Sequence, residues 1–162
     1  LYTPLWSPRI LEEWARATRK LGQGEEAFAR GEVAAVTAAF PKASVEPDAG
    51  LLRRLHLPDE DDVHVLAAAV TGGADCIVTF NASDFPRHIL AAEGVDRRDP
   101  DGFLWQLWSD APEQVGTVVE RVRQKAETLS NAAQPIRPLL KRAKLPRLAK
   151  AIDADAARHK GA

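Results

Sequence analysis

The sequence predicts an α/β domain, with parallel strands flanked by helices, followed by a helical and basic C-terminal region. Three observations predict it. Residues 57–86 read in series as an acidic helix start, an apolar helix, a Gly-Gly break, a short β-branched run and a polar turn. Further β-like runs at 2–6, 43–46 and 95–97 are separated by helical stretches. Charge divides unevenly: residues 110–162 carry 11 Lys+Arg against 6 Asp+Glu, whereas residues 1–109 carry 11 against 17.

In chain order, residues 2–6 form a short β-like run, read as the second strand. Ser7 is a good N-cap and Pro8 a favoured first helical residue. From that start Ile10, Leu11 and Trp14 share an apolar face, and Glu13 projects from the early turns. Gly22 and Gly24 break the chain. A helix over 25–40 presents Phe28, Val33, Val36 and Phe40, and Pro41 ends it. Residues 43–46 form an edge or third strand, and 51–55 a single helical turn.

Asp59, Glu60, Asp61 and Asp62 then place negative charge where a helix dipole favours it. Val63, Leu66, Ala67 and Val70 recur at helical spacing, and Gly72-Gly73 suits a helix end. The run from Cys76 to Phe80 is too short for a helix and reads as a buried parallel strand. Asn81 and Asp84 fall past its C-terminal end, where open α/β sheets place ligands. The acidic tetrapeptide reads either as a capped, solvated helix start or as part of a metal site. Carboxylates gathered in one place repel, and a divalent cation with a preference for oxygen relieves that cost.

Residues 87–92 form a short helix ended by Gly94, and 95–97 a final short strand. Asp99-Pro100-Asp101 starts a helix carrying Phe103, Leu104, Leu107 and Trp108. Trp105 and Trp108 read as core or interface aromatics in preference to base-stacking platforms. Residues 112–129 form an amphipathic helix with Val115, Val118, Val119, Val122, Ala126 and Leu129 on its apolar side. Two short helices follow, 136–143 and 145–152, studded with Lys and Arg, and the end of the chain, 153–162, frays.

Composition narrows the classes. The 162 residues are 45% hydrophobic and 28% charged, ordinary for a soluble globular chain. The single cysteine cannot form an internal disulfide, so the default compartment is the cytoplasm. No apolar run approaches the roughly 20 residues of a membrane span. An acidic body is consistent with a cation site, and a basic tail with a polyanion partner or an ordinary solvated helical surface.

The pattern D-x-x-D-x-H-V-L-A-A-A followed by G-A-D-x-I-V-T-F-N-x-x-D-F-P resembles the PIN-domain nucleases, and more narrowly the VapC-type toxins of bacterial toxin–antitoxin pairs. Ser7-Pro8-Arg9-Ile10-Leu11-Glu12-Glu13-Trp14 is similar to that family's second motif. The resemblance implies a three-layer PIN-like fold over residues 1–109, with residues 110–162 as a helical extension. It implies an endoribonuclease using Mg²⁺ or Mn²⁺, with Glu13, Asp62 and Asp84 as catalytic acids and metal ligands. Asn81 and Asp59 join the metal set, Asp59 as a supporting acid or cap. Many relatives carry Asp where this chain has Asn81, a neutral oxygen donor. Thr79 reads as a hydroxyl holding a ligand or as core filler. His64 is expected to face solvent or pack on its helix rather than to act as a base.

The implied partners are an RNA substrate, a cognate antitoxin protein and a second copy of the chain in a homodimer, with no membrane. Relatives also begin with a hydrophobic strand that ends in an Asp, which nothing at 1–4 matches. The expectation is therefore an absent N-terminal strand, an incomplete metal site, and a Cys76–Phe80 strand short of one neighbour unless a peptide fills the slot or the sheet rearranges. A competing reading is a PIN-like module that binds RNA or a partner protein without cutting. A phosphatase-like domain with an Asp nucleophile lacks a D-x-D motif at a strand end.

Overall fold

The computed structural model describes residues 1–160. It contains two compact units, Leu1–Ile77 with Asn81–Arg97, and Val78–Phe80 with the chain from Arg98 onward.

In the first unit Ser7 caps helix α1 (Pro8–Ala17). Its buried Oγ accepts from the Ile10 N–H at 3.2 Å, and Pro8 occupies a position that needs no donor. A 3-10 turn, Thr18–Leu21, leads to α2 (Glu25–Ala39). Gly24 sits there at φ 90°, in the left-handed region that favours glycine. The buried residue of each helix is an alanine, Ala15 on α1 and Ala29 on α2. The expected apolar faces are corrected at their large members: Trp14, Phe28 and Phe40 are exposed. The smallest side chains take the buried positions, so these rings stay in contact with solvent. The Phe40 ring meets Trp6 edge-on, with centroids 6.2 Å apart.

The β-like runs at 2–6 and 43–46 meet as one parallel bridge, Trp6 with Ser44. The Trp6 N–H donates to the Ala43 carbonyl at 3.0 Å, and the Val45 N–H to the Trp6 carbonyl at 2.8 Å. Asp48 caps α3 (Ala49–Arg54) by accepting from the Leu51 N–H at 3.0 Å. The acidic cluster begins as a 3-10 turn, Glu60–Asp62, which runs into α4 (Val63–Gly72). Gly73, at φ 65°, closes α4 in the left-handed conformation.

Strand β1 (Cys76–Val78), helix α5 (Arg87–Ala92) and strand β2 (Asp96–Arg98) follow. The Asp96 N–H donates to the Asp75 carbonyl and the Thr79 N–H to the Arg98 carbonyl, so both strands advance together and the pair is parallel. Leu55, Leu57, Leu66, Ile77, Phe85 and Leu90 belong to the core around α4. The expected buried strand is corrected in extent and burial. It spans three residues; Ile77 is buried, whereas Val78 and Phe80 are 41% and 54% exposed. Among the described residues β1 has β2 as its strand neighbour, a two-stranded sheet with little area to cover these side chains.

The second unit carries α6 (Pro100–Asp110), α7 (Pro112–Ser130), α8 (Ile136–Arg142) and α9 (Pro146–Lys160). Asp99 caps α6 through the Gly102 N–H at 2.8 Å. Asp101, buried within α6, reaches the start of α9 and accepts from the Arg147 N–H at 2.8 Å and the Leu148 N–H at 3.0 Å. Val115, Val119, Leu140, Leu148 and Ala149 form the core, with Trp108 partly buried against it. Trp105 lies beneath the Arg147 guanidinium, 4.6 Å from its ring centroid.

The apolar side of α7 is narrower than its spacing predicts. Val115 and Val119, four residues apart, are buried, while Val118, Val122 and Leu129 on the adjoining stripe are exposed. Helix α9 runs on to Lys160, past the expected end of the last short helix at residue 152; residues 161–162 lie outside the described residues. No helix among the described residues is long and apolar enough to cross a membrane.

Candidate metal centre

The site lies in the first unit, where the turn into α4 meets the turn after β1. Both turns are tied to the core: Val63 and Leu66 are buried just past the first, and Phe85 is buried immediately after Asp84. The acidic side chains at these turns therefore hang on fixed backbone.

Asp59 organises the first turn. One carboxylate oxygen accepts from the Asp61 N–H at 2.9 Å, and its backbone carbonyl accepts from the Asp62 N–H at 3.2 Å. This is the capping role expected of it, and it leaves the second carboxylate oxygen without that backbone bond. Asn81 organises the second turn. Its amide oxygen accepts from the Ser83 hydroxyl at 3.0 Å and from the Asp84 N–H at 3.4 Å. Its amide nitrogen donates to Asp84 at 2.6 Å and reaches Asp62 at 3.5 Å. Asn81 thus presents a donor to the acids and uses its oxygen to hold the turn.

Asp59, Asp62 and Asp84 come together. One oxygen from each lies within 4.8 Å of the others. Burial pushes the Asp62 carboxyl above its ordinary range, and the charges of Asp59, Asp84 and Glu13 push it the same way, opposed by His64. Three carboxylates at this spacing form a hard oxygen donor set, which fits Mg²⁺ or Mn²⁺ and does not fit a soft, thiolate-seeking metal. A bound cation would offset both the desolvation of Asp62 and the repulsion from its neighbours.

Glu13 lies outside that set of three. Its Oε1 accepts from Arg9 Nε at 2.7 Å, and its Oε2 pairs with His64 Nε2 at 3.0 Å. Arg9 also donates to the Asp61 carbonyl at 3.3 Å, joining α1 to the acidic turn. Glu13 is close enough to Asp62 for its charge to act there.

Of the two placements expected for His64, facing solvent or packing on its helix, the structure has the packed one, with a pairing to Glu13 that the sequence did not mark. It is 3% exposed and bonded to an acid, so it does not face solvent. The available signal was its position: residues three and four further on, Ala67 and Ala68, are both buried alanines on its side of α4. Arg9 also went unmarked, since its partners lie four residues away on its own helix and 52 residues away in the acidic turn.

No curated protein and no solved structure matches the chain. The PIN domain family profile matches residues 1–83, which include Glu13, Asp59, Asp62, Asn81 and the first part of the turn leading to Asp84. With just over half of its length matched and three acids gathered from the turn into α4 and the turn after β1, this chain belongs to the PIN domain family, whose members are generally metal-dependent nucleases.

Proposed function

We propose that the protein is a metal-dependent endoribonuclease and the toxin half of a toxin–antitoxin pair. The observation that carries the enzymatic reading is the convergence of Asp59, Asp62 and Asp84 within 4.8 Å. These residues would hold Mg²⁺ or Mn²⁺, with Glu13 supporting from α1. A bound divalent ion of this kind lowers the pKa of a water and stabilises charge on a phosphoryl group in transition. The chain's part is to fix the acids before the metal arrives. The Asp59 cap sets one turn, the Asn81 side chain sets the other, and Asn81 lowers the repulsion by donating to Asp84. Within this reading the substrate is RNA, the inhibitor an antitoxin protein that covers the acidic groove, the active form a homodimer, and the compartment the cytoplasm.

A second reading is RNA or partner-protein binding without cleavage. Two observations favour it: both Glu13 oxygens are already engaged, and Asn81 turns a donor rather than a carboxylate to the site. RNA cleavage by the purified chain with Mn²⁺ or Mg²⁺, beside EDTA and Asp62→Ala controls, separates the two. Metal-dependent cutting that disappears in Asp62→Ala supports the nuclease. EDTA-insensitive RNA binding with no cutting supports the binding module.

A further inference from the structure

We propose that His64 is a positioning residue for metal binding: it fixes Glu13 beside the Asp59–Asp62–Asp84 cluster, while Arg9 holds the other Glu13 oxygen as an exchangeable stand-in for the cation. The inference rests on the metal-dependent reading above and extends it to residues outside the acidic set.

The two Glu13 partners have unequal surroundings. Arg9 is half exposed, on a flexible stem, and its guanidinium can swing into water. His64 is 3% exposed and locked in the first turn of α4, two residues after Asp62. A bond to Glu13 from His64 is therefore a fixed anchor, and one from Arg9 is a displaceable arm. To donate to the carboxylate, Nε2 must carry a proton. The other ring nitrogen, Nδ1, is buried with no hydrogen-bond partner among the described residues.

A buried position with such an orphan, on a helix whose Val63, Leu66, Ala67 and Ala68 are also buried, is one that an apolar side chain would fill at lower cost. What the histidine supplies and an apolar residue does not is the bond to Glu13. Arg9 bridges Glu13 and the Asp61 carbonyl, so it brings positive charge to the edge of a cluster in excess of negative charge. An incoming cation would compete with Arg9 for Glu13 Oε1 and leave the His64 bond in place. Outer residues of this kind set the orientation of ligating groups, as hydrogen-bond partners of metal ligands generally do.

The test is isothermal titration of the full chain with MnCl₂, with thermal melting of each variant. His64→Leu is expected to weaken Mn²⁺ binding by about tenfold or more, the scale usual for loss of a ligand's hydrogen-bond partner, without a lower melting temperature. His64→Gln keeps an N–H donor and is expected to bind within about threefold of the parent, which a purely space-filling role would not give. Arg9→Ala is expected to bind Mn²⁺ more tightly. Parent-like binding by His64→Leu, or binding by His64→Gln no better than by His64→Leu, overturns the anchor. Weaker binding by Arg9→Ala overturns the exchangeable arm. Asp62→Asn separates this inference from the reading beneath it. If the parent chain binds no Mn²⁺, the metal reading falls and this inference with it. If binding is lost in Asp62→Asn but unchanged in His64→Leu, the inference falls on its own.

Discussion

Replacing Asp62 with Asn should make the metal-free protein more stable, although it removes the central acid of the site. Asp62 is partly buried and faces Asp59 and Asp84, with one oxygen from each within 4.8 Å. Two like charges near 4 Å repel by about 1 kcal/mol in bulk water and about 4 kcal/mol at the effective dielectric near a protein surface. Asp59 is exposed and Asn81 already donates to Asp84, so the lower end applies and the two pairs together give about 1–2 kcal/mol. For a chain of this length that corresponds to a rise in melting temperature of about 2–8 °C. The sign follows from the direction of the shift. A carboxyl held above its ordinary range in the folded state lowers stability as pH rises through the window above 3.8, and the amide removes that loss. Thermal melting in EDTA at pH 7 measures it. Adding Mn²⁺ should then reverse the order, because the parent gains stability from binding and Asp62→Asn does not. A lower melting temperature for Asp62→Asn in EDTA would refute the reasoning, since it would mean that the carboxylate is a net structural asset.

Other expectations concern parts of the chain remote from the acids. Asp101→Ala strands two backbone donors, the N–H groups of Arg147 and Leu148, at the start of α9; urea denaturation should show a loss of about 2–4 kcal/mol, partly restored in Asp101→Asn, and a loss near zero would contradict the buried cap. On the α1–α2 surface, hydrogen bonds from Arg30 and Arg16 hold the Glu12 carboxyl at about 2, and those from Arg19 and Arg30 hold Glu26 at about 2, both below the ordinary 4.5. Their contribution is complete above pH 4.5 and is lost as pH falls towards 2, so Glu12→Gln with Glu26→Gln should flatten the acid limb of the stability curve over that window. An unchanged acid limb in the double variant would show that these exposed pairs contribute nothing measurable.

Local signals in the sequence were reliable guides to local structure. Ser7-Pro8 opens α1, Asp99-Pro100 opens α6, and Gly73 closes α4, because caps and breakers act within a few residues. Asp59, Asp62 and Asp84 were legible as a candidate set because a helix start and a strand end bracket them within 26 residues of chain. What could not be read was the pairing of distant groups. His64 and Glu13 are 51 residues apart, and nothing in the spacing of either predicts that one would be buried against the other. Hydropathy marked the apolar faces of α1, α2 and α7, but it carries no information on how much of a face a neighbour covers. Trp14, Phe28, Val118 and Val122 are apolar, at helical spacing, and exposed. The β1 run failed for the same reason, its composition suggesting burial on both sides when a two-stranded sheet encloses Ile77 and leaves Val78 in solvent.

The most direct test of the metal-dependent account is a crystal of the chain grown or soaked in MnCl₂ and examined for anomalous scattering. The account predicts a manganese peak among the carboxylates of Asp59, Asp62 and Asp84, within ligand distance of at least two of them. No peak at saturating Mn²⁺, or a peak seated only elsewhere on the chain, would contradict it.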